Sequence, residues 1–175
     1  TDTSFGTATN DTSFGTGSNS TGVGTGATNT NVSLLFHSEF AKGVRGLKFS
    51  GDGSRTIFVS NQNPVDQNPD EIAQIFSINV DLNLIVQLTN NSDTESPAIR
   101  YLQTNISDDG LWVVFQTSDD ITGENPNNIT NIFRTATDGS SVTQVTNFND
   151  IGDYQGEVQI SANGALIVFT SENDI

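Results

Sequence analysis

The stretch ISDDGLWVVFQTSDDI, residues 106–121, decides the fold, because the chain repeats it. FSGDGSRTIFVS (49–60) aligns with ISDDGLWVVFQT (106–117) at an offset of 57: Ser50 on Ser107, Asp52 on Asp109, Gly53 on Gly110, Phe58 on Phe115. The same offset carries Pro69 onto Pro126, Ile75 and Phe76 onto Ile132 and Phe133, and Thr89 onto Thr146. A third copy, ISANGALIVFTSENDI (160–175), follows at an offset of 54 and matches at Ser161, Gly164, Val168, Phe169, Asp174 and Ile175. A register held without gaps over this span is the mark of a structural repeat.

Each copy reads as the same set of strands. An entering strand (LKFS, TNIS, VQIS) meets a tight turn (GDG, DDG, ANG). Asp-Gly and Asn-Gly suit the positive φ of a two-residue hairpin, so that turn type is predicted. A dense apolar strand follows (TIFVS, WVVFQT, LIVFTS), and its continuous hydrophobicity predicts burial on both faces. A long polar loop (NQNPVDQNPDEIA, SDDITGENPNNIT) leads to a third strand (QIFSINV, NIFRTAT), then a turn and a fourth (LIVQLT, VTQVT). Four antiparallel strands in a unit of this length are the pattern of a propeller blade. VSLLF (32–36) precedes Ser50 at nearly the spacing by which Val142 precedes Ser161, so it reads as the last strand of a preceding blade.

The pieces ISDDGLWVVFQTS, NIFRTATDGSSVTQVT and IFSINVDLNLIVQLT resemble the TolB-type bacterial β-propeller repeat, in which S-x-D-G precedes an apolar strand ending in F-x-S/T. The resemblance covers residues 32–175 and implies an all-β, partial propeller of four-stranded blades. The blades fall at 44–90 and 101–147, with the first half of another at 157–175. The loop between second and third strands is longer than is usual in that family. The family implies a non-catalytic, extracytoplasmic module that binds or scaffolds protein or polysaccharide.

Residues 1–31 differ in kind. DTSFGTATN (2–10), DTSFGTGSN (11–19) and STGVGTGATN (20–29) repeat a small polar unit, and the segment holds only two Phe, one Val and two Ala as apolar residues. Such a tract buries too little apolar area to offset chain entropy, which predicts a linker or stalk. The recurring Phe5, Phe14 and Val23 keep open a strand that docks on a neighbour. GVGTGA (22–27) matches a dinucleotide fingerprint, but no strand precedes it and no helix follows, so the match carries no function.

The composition bounds the chemistry. Lys and Arg number 6 against 21 Asp and Glu, a net charge of −15, which disfavours nucleic acid and anionic lipid and favours basic proteins or Ca²⁺ as charged partners. No cysteine excludes disulfides and thiolate chemistry. The absence of Met suggests a processed or excised piece. No apolar run reaches the ~20 residues that cross a bilayer as a helix.

Candidate sites follow from the loops. Asp119, Asp120, Glu124, Asn125 and Asn128 in one, and Asp66, Asn68, Asp70 and Glu71 in the other, are oxygen donors of the kind Ca²⁺ takes. Their spacing does not fit an EF-hand, and Asn, Asp and Pro also make turns. No cofactor is otherwise expected. The single histidine, His37, directly follows an apolar strand, and no G-x-S-x-G elbow is present, so no enzyme activity is expected. Trp112 reads as an inter-blade packing residue or a sugar-stacking platform, and Tyr101 and Tyr154 as packing residues. Glycosylation sequons stand at Asn10, Asn19, Asn31, Asn90, Asn105 and Asn128.

Propellers close with about four to eight blades, so two and a half leave two expectations. The chain is part of a longer one, the simpler account, or several chains cover one another. Three function classes stay open: a binding module, a structural subunit of an extracellular filament or matrix joined by strand addition, and an accessory propeller of a peptidase.

Overall fold

The structure, a computed structural model, describes residues 6–7, 33–34, 43–91, 103–148 and 155–171. The chain divides into two units, Thr1–Gly43 and Val44–Ile175. In the first, β1 (Gly6–Thr7) pairs antiparallel with β2 (Ser33–Leu34), Gly6 opposite Leu34. β2 lies within VSLLF, where a strand is predicted, and its partner comes from the Thr/Gly/Ser tract. The expected boundary at 31/32 lies outside the described residues, as do His37, Tyr101 and Tyr154.

The second unit is all-β, with no helix among the described residues. β3 (Arg45–Phe49), β4 (Arg55–Ser60), β5 (Gln74–Asn79) and β6 (Leu84–Gln87) form one antiparallel sheet in the order β3-β4-β5-β6. β7 (Thr104–Ile106), β8 (Trp112–Thr117), β9 (Asn131–Ala136) and β10 (Val142–Gln144) repeat that order in a second sheet. β11 (Gln155–Ile160) and β12 (Ile167–Ser171) form a two-stranded sheet. These are four-stranded propeller blades followed by the first two strands of another. Register follows the repeat: Phe58 pairs with Phe76 and Phe115 with Phe133.

The apolar second strands are buried as predicted. β4 is buried from Thr56 to Ser60, and β8 from Val113 to Thr117. Successive side chains of a strand point to opposite faces, so each such strand must be covered on both sides, which stacking supplies. Between the first two sheets lie Ile57, Val59, Ile75 and Leu88 from one and Ile106, Val113, Phe115 and Phe133 from the other. Between the second and third lie Val114 and Ile132 against Val158, with Ile160, Ile167 and Phe169 around them. Val113 and Phe115 thus face back along the stack and Val114 faces forward. Within the sheets Phe58 stacks on Phe76 at 5.3 Å and Phe115 on Phe133 at 5.7 Å.

Polar bonds cross the same junctions. Ser77 Oγ donates to the Thr137 carbonyl at 2.5 Å, and Gln116 Nε2 donates to the Gly156 carbonyl at 2.7 Å. Asn105 Nδ2, a sequon residue, donates to Gln159 Oε1 at 2.5 Å. β12, by contrast, has an alternating pattern, with Val168 68 % exposed where its equivalent Val114 is fully buried.

Phe115→Ala removes a ring that lies in the junction and stacks on Phe133, so it is expected to cost about 3–5 kcal/mol in urea unfolding. Leu166→Ala, at an exposed position, should stay within about 0.5 kcal/mol of the parent chain. Equal effects would contradict the stacked arrangement.

Candidate functional site

The strand connections fall on two opposite ends of the sheets, because neighbouring strands run antiparallel. One end carries the short turns after β3, β7 and β11. The other carries the long loops after β4 and β8.

The short turns are built alike from S-x-D/N-G. The Ser50 N–H donates to the Arg55 carbonyl at 2.9 Å and the Gly53 N–H to the Ser50 carbonyl at 3.0 Å. Four residues are therefore enclosed, and only Gly53 takes a positive φ, +73°. The two-residue hairpin expected from Asp-Gly is replaced by a longer turn, in which the Asp works through its side chain. Asp52 Oδ1 accepts from the Ser50 hydroxyl at 2.6 Å and the Ser54 N–H at 2.9 Å, while Ser50 Oγ accepts the Arg55 N–H at 3.0 Å. Ser107 and Asp109 repeat this at 2.6 and 3.0 Å, with the Trp112 N–H on Ser107 Oγ at 3.0 Å. Asn163 does the same as a neutral acceptor, with the Ser161 hydroxyl at 3.0 Å and the Ala165 N–H at 3.1 Å. The shorter Ser–Asp bonds fit an ionised acceptor. The bonds from Ser50, then from Ser54, hold the Asp52 carboxyl below its usual range. Asp138, in the β9–β10 turn, is lowered likewise by Ser140.

The turns also join one blade to the next. The Asp52 N–H donates to the Asp108 carbonyl at 2.9 Å, and the Asp109 N–H to the Ala162 carbonyl at 3.0 Å. Beside each bond a side chain seats on a glycine of the next turn. A Cβ at Gly110 would lie 2.9 Å from Arg55 Cγ, and one at Gly164 would collide with the Trp112 ring. Arg134 covers a face of that ring, its guanidinium carbon 4.3 Å from the centroid, and Arg134 Nη1 donates to the Gly164 carbonyl at 3.2 Å. Trp112 is thus an inter-blade packing residue, as one of its two sequence readings held, and Arg134 occupies a ring face that a sugar would need.

The long loops hold the calcium candidates, and their geometry is set by one buried asparagine in each. Asn68 Nδ2 donates to the carbonyls of Asn61, Gln62 and Ile72 at 3.3, 3.0 and 2.8 Å, and its Oδ1 accepts the Ile72 N–H at 3.2 Å. Asn125, at the same repeat position, donates to Ser118, Asp119 and Ile129 at 3.0, 3.4 and 2.8 Å and accepts the Ile129 N–H at 3.2 Å. Both are 3 % exposed, so the side-chain oxygens proposed as ligands are engaged inside the protein. Asn-Pro begins a turn in each loop: the Glu71 N–H reaches the Asn68 carbonyl at 3.1 Å and the Asn128 N–H the Asn125 carbonyl at 3.0 Å. Glu71 and Asn128 both have φ of +52°, and Asp66 (+58°) and Gly123 (+80°) also coincide, so the backbones follow one path.

Asp66, Asp70, Glu71, Asp120, Glu124 and Asn128 are exposed, while Asp119 is buried with its N–H on Thr117 Oγ1 at 3.1 Å. Asp120 Oδ1 accepts the Asn125 N–H at 2.8 Å. Among the described residues, no three His, Asp or Glu side chains gather as a metal-binding group.

A further polar node was missed by the sequence reading. Gln74 Oε1 accepts the Thr89 hydroxyl at 2.7 Å and the Asn91 N–H at 3.2 Å. Asn131 Oδ1 does the same for Thr146 and the Phe148 N–H at 2.9 and 2.8 Å. The available signal was an amide recurring at the start of an apolar strand.

Stacked four-stranded meanders joined turn to turn define a protein of β-propeller type. No family model matches the chain, and no curated protein does. Among solved structures it is similar to a putative TolB from Agrobacterium tumefaciens, with 22 % identity and a TM-score of 0.49 over 77 % of this chain and 41 % of that one. It is also similar to TolB from Acinetobacter baumannii, with 21 % identity and a TM-score of 0.47 over 79 % of this chain and 27 % of that one. The chain spans less than half the length of either.

Asn125→Ala leaves four loop backbone groups without their partner, so a loss of about 2–3 kcal/mol is expected in urea unfolding, against about 0.5 kcal/mol or less for exposed Asn127→Ala. Asp52→Asn keeps the acceptor, as Asn163 shows, and removes the charge. Folding lowers the Asp52 pKa, so its contribution is complete above the ordinary value of about 3.9 and disappears as pH falls through the lowered value. The urea midpoints of Asp52→Asn and the parent chain should differ at pH 7 and converge near pH 2. A gap that persists in acid would sink the assignment.

Proposed function

We propose that the chain is a non-catalytic, extracytoplasmic propeller module that binds protein or polysaccharide through its long-loop end, and that a basic protein surface suits that end best. The observation that supports this is the pair of equivalent loops after β4 and β8. Each is fixed from within by a buried Asn, and each turns its carboxylates to solvent: Asp66, Asp70 and Glu71 in one, Asp120 and Glu124 in the other. Loops held in a single conformation lose little entropy on binding. Acidic groups on them attract a cationic partner and speed its encounter at low salt. Extracytoplasmic placement is supported by the resemblance to TolB-type repeats.

The test uses a fluorescent decalysine peptide as the basic probe, titrated by anisotropy at low and high salt. Binding should weaken steeply with salt, and Asp66→Asn/Asp70→Asn/Glu71→Gln/Glu124→Gln should weaken it about tenfold. Binding that is absent at low salt, or untouched by the four substitutions, would reject the loop end as the binding face.

A further inference from the structure

We propose that the outer face of the β11–β12 sheet takes the β3 edge of a second copy of this chain, through a junction that repeats the one between successive blades. This surface is separate from the long-loop end, so either proposal can fail alone.

The junction is seen twice within the chain, and its parts can be followed by register. The side chain two residues after the turn glycine seats on the turn glycine of the next blade: Arg55 on Gly110, then Trp112 on Gly164. The third such side chain is Leu166, which is 68 % exposed. The one turn glycine of the three without a covering side chain is Gly53, where a Cβ would meet nothing within 4 Å. The last apolar side chain in the series and the first glycine seat are therefore both unfilled.

The backbone series ends in the same way. The N–H of the turn Asp donates to the next turn twice, Asp52 to Asp108 and Asp109 to Ala162. Continuing it would bring the Asn163 N–H to a Gly51 carbonyl. Sterically the step is permissive. The residue before each turn Asp or Asn meets its equivalent in the next blade, as Gly51 meets Asp108 so closely that a Cβ would come within 2.7 Å. Ala162 against Gly51 would be the smallest such pair in the series.

The apolar faces agree. Val114 is covered by Val158. Val168 is the equivalent of Val114, and Leu47 stands at the repeat position of Val158. Val168 is 68 % and Leu47 46 % exposed. Phe49 is 57 % exposed where its equivalent, Ile106, is 6 % exposed within the first junction. Apolar side chains at this exposure are what an interface core covers. Knob, seat, donor, acceptor and apolar face are each unfilled at opposite ends of one stack, and each matches its counterpart. The contact is head-to-tail, which gives rings if the rotation closes and open chains if it does not.

Sedimentation velocity on the full chain tests this, with circular dichroism to confirm folding. The parent chain should sediment as two or more copies at rising concentration. Leu166→Glu/Val168→Glu disables one end and Leu47→Glu/Phe49→Glu the other; all four positions are exposed, so the variants should fold. Each alone should associate at least about tenfold more weakly. Mixed in equal amounts, the two variants retain one good end each and should form a species of two chains and none larger. A parent chain that stays monomeric up to about 0.5 mM, where even a weak contact would show, would overturn the proposal. So would association that survives in either variant, or a mixture that yields no two-chain species.

Discussion

The serine and carboxylate of each short turn hold the rest of the structure in place. A strand leaving β3 must reverse into β4 while its first backbone groups are still buried, and those groups need partners. Ser50 Oγ takes the Arg55 N–H and passes its own proton to Asp52, whose other neighbours are backbone and side-chain donors of the same turn. With the side chains thus occupied, the main-chain N–H of Asp52 points out of the turn, free to bond the next blade at 2.9 Å. One motif therefore does two tasks: it closes a hairpin and sets the spacing between sheets. The register of the apolar faces follows, because Val113 and Phe115 can meet Ile57 and Val59 only when the turns are aligned.

The seat beside this bond explains why one position tolerates Arg55, Trp112 and Leu166. What the junction needs there is a side chain lying against the bare backbone of a glycine, and the aliphatic stem of Arg, the indole of Trp and the branch of Leu all supply that surface. The glycine is constrained twice, by its positive φ and by the lack of room for a Cβ. Trp112 gains a further partner in Arg134, whose guanidinium lies over the ring and bonds the Gly164 carbonyl. At the opposite end the long loops rely on a different device, an internal amide that takes the place of strand pairing. Asn68 and Asn125 occupy the loop interior, which leaves the carboxylates outside.

Much of this was legible in the residues. The dense runs TIFVS and WVVFQT required cover on both faces, and that requirement pointed to stacked blades. The paired copies located every strand of the two four-stranded sheets. The turn type was misjudged because Asp-Gly suggests a two-residue hairpin only if the Asp backbone takes the strained angle; here the Asp acts through its side chain, and Gly53, Gly110 and Gly164 take the angle. The loops were half legible. Asn-Pro signalled a turn, but composition alone could not tell an Asn that faces solvent from one that bonds the backbone inside. Both are the same letter in a polar stretch, and only burial separates them.

By itself, then, the sequence determined the strand order, the blade unit and the positions of glycine, because each depends on spacing and on steric limits that a residue carries with it. The tertiary structure alone decided which polar side chains are free to act. Asp52, Asn68 and Asn125 are drawn into the fold by donors brought near them by chain reversal, and Glu124 and Asp70 are left to the solvent. The same holds for the apolar residues of the outer strands: Val114 and Val168 are alike in sequence, and differ because one has a sheet packed upon it and the other does not.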